Sequence, residues 1–266
     1  MSAQVNTGNG GPVAPEFTFD GNGDRCRIGL IFMASSVVME AEMWAMAPKG
    51  VSIHTTRIEL PKVTVEGIQA MMDAPQVEQA ARLLASAPLD VLCFGGTSAS
   101  FLHGTAYDKA LMAKLKQWAP GIAVNTASTA SLAGLQAVGA QSVILATPYV
   151  DGVHNRAIRF LEENGHPVVA SRNLGIDTDQ ALAEVPLQKT FDMICEMDTP
   201  EANAVFISCT NFLTAGLIDA VEKELGKPVV SAVQSSFWHA LRLGGVADDC
   251  PGYGALFQHG LPEVGE

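Results

Sequence analysis

The feature that most constrains this chain is that its sequence pattern occurs twice, in the same order. Ile28-Gly-Leu-Ile-Phe and Val143-Ile-Leu-Ala-Thr start 115 residues apart, and Gly50 to Arg57 stands at the same offset from Gly165 to Arg172. Asp90-Val-Leu-Cys-Phe-Gly-Gly-Thr-Ser98 and Asn203-Ala-Val-Phe-Ile-Ser-Cys-Thr-Asn211 are 113 apart. Val124 to Gly139 matches Val230 to Gly245 at 106, with Ser128 facing Gln234. Any α/β protein repeats apolar strands followed by small residues. Four segments in one order at nearly constant spacing predict more than that, namely two similar half-chains. A period this long gives two equivalent lobes rather than a solenoid.

Within each half, short apolar and often β-branched runs alternate with helical patterns. Strands are expected at 26–33, 51–58, 90–94, 121–125, 142–147, 167–172, 203–208 and 228–231. One helical pattern runs from Gly67 to Ala85 and another from Asp151 to Glu163. This alternation predicts an α/β fold of two pseudo-symmetric, Rossmann-like lobes, each a short parallel sheet flanked by helices. Ligands of such sheets bind beyond the carboxyl ends of strands, so the active site is expected in the cleft between the lobes. The expected boundaries are a disordered tail over 1–24, a first lobe over 25–130 and a second over 131–236, with a helical region at 237–262 packing back on the first.

At 266 residues with 48% hydrophobic and 17% charged side chains, the chain can bury one large core or two small ones. A net charge of −12 argues against nucleic acid or an anionic membrane as partner. Backbone N–H groups and hydroxyls can still bind a small anion locally. No apolar run approaches a membrane span. The five cysteines show no CxxC spacing and are odd in number, which points to reduced thiols and a cytoplasmic setting. Cys26, Cys93 and Cys195 sit in apolar runs and read as inert core residues. The six histidines form no HxxH or HExxH, no GxSxG elbow is present, and Gly95-Gly96 lacks the Lys of a phosphate loop. Neither a metal nor a nucleotide cofactor is expected.

Three strand ends carry candidate chemistry. Cys209 follows strand 203–208 and precedes a helix expected near Thr214, whose dipole would favour negative charge on the sulfur. The alternative is a small buried residue. Thr97 and Ser98 offer hydroxyls and N–H groups able to hold a carboxylate, or serve as an ordinary turn or helix cap. Tyr149 begins the next helical region, as a phenol for the same carboxylate or a plain aromatic at a corner. Gly96 stands where Cys209 stands in the second half. Two cysteines would exchange protons on both faces of a carbon, whereas one delivers a proton to a single face.

The ordered set Gly96-Thr97-Ser98-Ala-Ser-Phe101, Ser128-Thr129-Ala130, Thr147-Pro-Tyr149, Ser208-Cys209 and Phe237-Trp238 resembles the aspartate/glutamate racemase superfamily over roughly residues 26–260. Within it the chain looks most like arylmalonate decarboxylases, then maleate cis-trans isomerases. The resemblance implies cofactor-independent chemistry on a small dicarboxylate, with assembly into a homo-oligomer left open. Thr97, Ser98, Tyr149 and N–H groups near Ser98 and Thr210 would hold the retained carboxylate. After loss of carbon dioxide the enediolate would rest in that dioxyanion hole, and Cys209 would protonate one face. Met33, Ala34 and Pro148 match family positions around the leaving carboxylate. Departures are Thr210-Asn211, where the decarboxylases carry two glycines. Cys-Thr-Asn is closer to the isomerases, and Asn211 would add polarity to an apolar pocket, so a more polar or aliphatic malonate is expected. Against an isomerase stand Val37, where those enzymes carry Asn, and Gly96, where they carry Cys. Three functions remain in view, in this order: decarboxylase of a 2-substituted malonate, isomerase or racemase, and non-enzymatic dicarboxylate binder.

Overall fold

The structure, a computed structural model, describes residues 23–262; of the expected N-terminal tail, residues 1–22 lie outside the described residues. The first half contains strand β1 (Cys26–Met33), helix α1 (Met39–Met46), β2 (Val51–Ile58), α2 (Val65–Asp73), α3 (Gln76–Leu84), β3 (Val91–Phe94), α4 (Thr97–Ser100), α5 (Thr105–Trp118), β4 (Ala123–Thr126) and α6 (Ala127–Ala137). The second contains β5 (Val143–Tyr149), α7 (Asp151–Glu163), β6 (Val168–Ile176), α8 (Asp179–Ala183), α9 (Leu187–Cys195), β7 (Ala204–Ile207), α10 (Ile218–Leu225), β8 (Val229–Ser231) and α11 (Ala232–Leu243). Two four-stranded sheets result, ordered β2-β1-β3-β4 and β6-β5-β7-β8, and all pairings are parallel. The same order in both halves is the duplication made visible, so the protein is α/β with two equivalent sheets flanked by helices.

Repeated sequence signals perform repeated local jobs. Gly50 and Gly165 lead into β2 and β6 with φ of 85° and 80°, a left-handed conformation that costs glycine little. Two strand-to-helix junctions are capped by hydroxyls: Thr126 accepts from Thr129 N, and Ser231 forms a capping box with Gln234. Gly139 and Gly245 close these helices at φ 70° and 76°. The caps stand 105 apart and the closing glycines 106, because α11 has 12 residues and α6 has 11. The match of Ser128 to Gln234 is therefore displaced by one residue at the start of these helices.

The inner strands are wholly buried over β3, β5 and β7. Each Leu, Ile or Phe taken from water there contributes about 1.5–3 kcal/mol. Helix α11 leaves the second sheet and lies on α6, α1, β3 and β4 of the first half, and Ser131 and Ser235 meet between α6 and α11 with Oγ atoms 3.2 Å apart. The single helix expected over 67–85 is two, broken at Ala74–Pro75. Pro75 has no N–H to continue α2 and instead starts α3. Cys195, expected in the core, is half-exposed near the end of α9. Among the described residues no helix is long and apolar enough to cross a membrane.

Candidate active site

The carboxyl ends of β3 and β7 meet across the cleft. Thr210 Oγ1 donates to Gly95 O at 2.8 Å, a bond between the two halves. Around this junction lie Cys209, Thr97 and Tyr149, which expose 4%, 2% and 1% of their surface. Tyr149 ends β5 rather than starting a helix, and α7 begins two residues later. Burial pushes its phenol well above the usual range, and the Cys209 sulfur pushes the same way, while the Ser208 and Thr97 hydroxyls oppose. Those hydroxyls face the phenol, yet Thr97 Oγ1 and Ser208 Oγ complete no well-formed hydrogen bond. Buried hydroxyls without partners are uncommon. Here two of them converge beside a phenol and a thiol, a donor set suited to an anion.

Cys209 is set by its neighbours rather than by a helix. The helix expected near Thr214 begins at Ile218, so Cys209 does not lie at its first turn. Burial pushes the thiol up to about 12; N–H groups of Asn211 and Thr210 pull it down, and the charge of Asp179 adds to the rise. Burial thus outweighs the nearby N–H groups and favours the neutral thiol, the form a proton donor needs. Asn211 N points at it, 3.3 Å from Sγ. Cys209 is also the one non-glycine among the described residues with positive φ, 157°, near full extension.

Two expected side chains have other roles. The Thr210 hydroxyl is occupied by Gly95 O. Asn211 is 1% exposed, and its amide accepts from Val37 N (3.0 Å) and Val38 N (3.2 Å) and donates to Asp179 O (2.7 Å). Its side-chain amide is thus engaged in the contact between the halves rather than set free in a pocket. Ala34 is exposed at the rim, whereas Met33 and Pro148 are buried. Met33 lies beside Gly96, where an added Cβ would stand 3.0 Å from Met33 Cε. Ser98 is half-buried at the start of the short helix α4.

Behind these groups is a support layer to which the sequence assigned no role. Ser100 Oγ donates to Gly96 O (2.9 Å) and meets Ser128 Oγ at 2.6 Å, fixing the turn that presents Thr97. Buried Glu42 on α1 accepts from Thr214 N (2.8 Å), Ala215 N (3.0 Å) and Thr214 Oγ1 (3.1 Å), holding the loop after Cys209. Asp179 accepts from Ser35 and Ser36. Of these residues, Ser100 and Ser128 entered the sequence reading only as members of the ordered set, and Ser208 only as the neighbour of Cys209. Among the described residues no three His, Cys, Asp or Glu side chains are grouped to hold a metal ion.

Comparison with known proteins gives one consistent result. The family profile for arylmalonate decarboxylase matches residues 28–257. An arylmalonate decarboxylase of Bordetella bronchiseptica is 36% identical over 233 residues, covering 86% of this chain and 95% of that protein. Among solved structures, a maleate isomerase variant from Pseudomonas putida with maleate superposes with a TM-score of 0.84 at 25% identity, over 90% of this chain and 99% of that one. A liganded double mutant of arylmalonate decarboxylase gives 0.81 at 34% identity, over 88% and 99%.

Proposed function

The chain belongs to the arylmalonate decarboxylase family, and we propose that it decarboxylates a 2-substituted malonate without a cofactor, with Cys209 as the sole proton donor. In the proposed reaction one carboxylate sits among Thr97, Ser98, Ser208 and the Tyr149 phenol. The other lies toward Met33 and Pro148 and departs as carbon dioxide. The bonding electrons pass into the retained carboxylate as an enediolate, stabilised by the preorganised donors. Cys209 S–H then gives its proton to the carbon face it meets, and the thiolate, being far less basic than the enediolate, recovers a proton from water.

The observation that carries the proposal is the asymmetry of the two strand ends: a buried thiol at 209 and glycine at 96. A thiol pushed up to about 12 stays loaded with its proton at neutral pH, as a general acid requires. The Cys-Thr-Asn sequence and the structural likeness to a maleate isomerase favour a second reading, isomerisation through Cys209 alone. The commitment of Thr210 and Asn211 to holding the halves together weakens it. All five cysteines are free, which suits a reducing, cytoplasmic setting that cell fractionation would check.

The test is carbon dioxide release from phenylmalonate and 2-methyl-2-phenylmalonate, with a chelator present and no cofactor added. Release is expected, with a loss of at least about 10³-fold in Cys209→Ala. Equal turnover by Cys209→Ala would remove the thiol from the mechanism. Interconversion of maleate without gas release would favour the isomerase.

A further inference from the structure

Outside the donor set, one group of contacts ties the thiol to the far lobe. The loop Ala34–Val38 follows β1 and crosses the cleft. On its own side it is held by Arg57, whose Nη1 donates to Ala34 O (3.1 Å) and Ser36 O (2.8 Å) and whose guanidinium lies 4.3 Å from the Phe32 ring centroid. On the other side, Ser35 Oγ and Ser36 Oγ both donate to Asp179 Oδ2, at 2.7 and 2.8 Å. Asp179 is 6% exposed, and its backbone carbonyl accepts from the Asn211 amide, whose Oδ1 accepts from Val37 N and Val38 N. The N–H of Asn211 rests on Cys209 Sγ. Thus the loop, Asp179, Asn211 and the sulfur form one continuous chain of hydrogen bonds. Two of them end on the Asp179 carboxylate, the Ser36 bond buried and the Ser35 bond partly so, and hydrogen bonds to a carboxylate are the stronger kind.

We propose that Asp179 is a positioning residue for Cys209: by binding Ser35 and Ser36 and fixing Asn211, it clamps the Ala34–Val38 loop over the cleft and aims the backbone at the sulfur. This rests on Cys209 being the proton donor. The clamp couples two functions, because the loop that covers the cleft is also the one that fixes the setting of the thiol. Substrate binding and proton delivery then depend on the same contacts, and loosening them lowers kcat more than it raises KM.

The test uses the full chain and iodoacetamide, with labelling of each cysteine followed by peptide mapping, beside kcat and KM for phenylmalonate. Ser35→Ala/Ser36→Ala removes both donors while leaving the Asp179 charge; Asp179→Ala removes the acceptor. Both are expected to speed Cys209 labelling about tenfold or more while Cys93, in the core of β3, stays unlabelled. Asp179→Asn keeps an oxygen for both serines and is expected to restore most of the kcat lost in Asp179→Ala. Cys209 labelling within twofold of the unaltered chain in the double serine variant would overturn the clamp. So would equal rises at Cys209 and Cys93, which signal global loosening. If Asp179→Ala does not fold, the serine variant decides. Labelling reads the sulfur whatever the substrate, so absence of decarboxylation by the unaltered chain would refute the proposed function and leave the clamp to be judged separately.

Discussion

Placing a second thiol opposite the first tests whether the two strand ends address one substrate carbon. At Gly96 the backbone has φ −127° and ψ 88°, open to any L-residue, so Gly96→Cys carries no left-handed strain. Its Cβ would stand 2.9 Å from Phe94 Cε1, 3.1 Å from Phe94 Cζ and 3.0 Å from Met33 Cε. The methionine methyl can swing away, whereas the Phe94 ring is fully buried and has to tilt. Overpacking of this kind costs about 1–3 kcal/mol. A chain of this size loses roughly 2–4 °C of melting temperature per kcal/mol, so Tm should fall by about 2–12 °C. The variant should also racemise an enantiopure 2-arylpropionate and exchange its α-proton for deuterium, followed by chiral chromatography and mass spectrometry. A folded variant with the expected fall in Tm but no change in enantiomeric purity and no deuterium uptake would refute the facing arrangement.

Other consequences follow from single contacts. Tyr149→Phe removes the phenol that faces Thr97, Ser208 and Cys209, and should lower kcat/KM about 10²–10³-fold, as loss of one oxyanion donor does; a change under threefold would exclude the phenol from the site. Glu42→Ala strands two buried N–H groups and should cost about 3–5 kcal/mol in denaturant unfolding, while Glu42→Gln keeps an acceptor and should stay within about 1 kcal/mol. Burial holds the Glu42 carboxyl above its ordinary value despite the Thr214 and Ala215 hydrogen bonds. Between the unfolded and the raised folded value the native state therefore binds more protons than the unfolded chain, and this group's contribution to stability is lost as pH rises through that window. The Tm of Glu42→Gln relative to the unaltered chain should rise over the same interval; a flat difference would contradict the sign.

The eight strands were legible because buried parallel strands are continuous apolar runs, and the duplication gave each a second copy for comparison. Helix boundaries were less so. Apolar spacing runs in phase across Pro75, which hides the break between α2 and α3. Thr214 resembles a helix cap in sequence, but its N–H and hydroxyl are held by Glu42, 172 residues away, and the helix starts later. The same distance problem concealed Asn211. Its residue type suggested a polar pocket, while its partners Val37, Val38 and Asp179 are remote in the chain. Short-range pattern names the residue at a strand end; long-range partners decide which way it turns.

Thr97 and Thr210 occupy matching places in the two halves, yet one hydroxyl is left without a partner beside the phenol and the other is bound to Gly95 O. Twofold kinship of the backbone thus ends at the side-chain oxygens. In the proposed reaction, moving the acid from 209 to 96 would carry it to the opposite face of the carbon without moving the grip on the carboxylate. Chirality of the product would then be a property of which ancestral copy keeps the sulfur, independent of which copy keeps the anion.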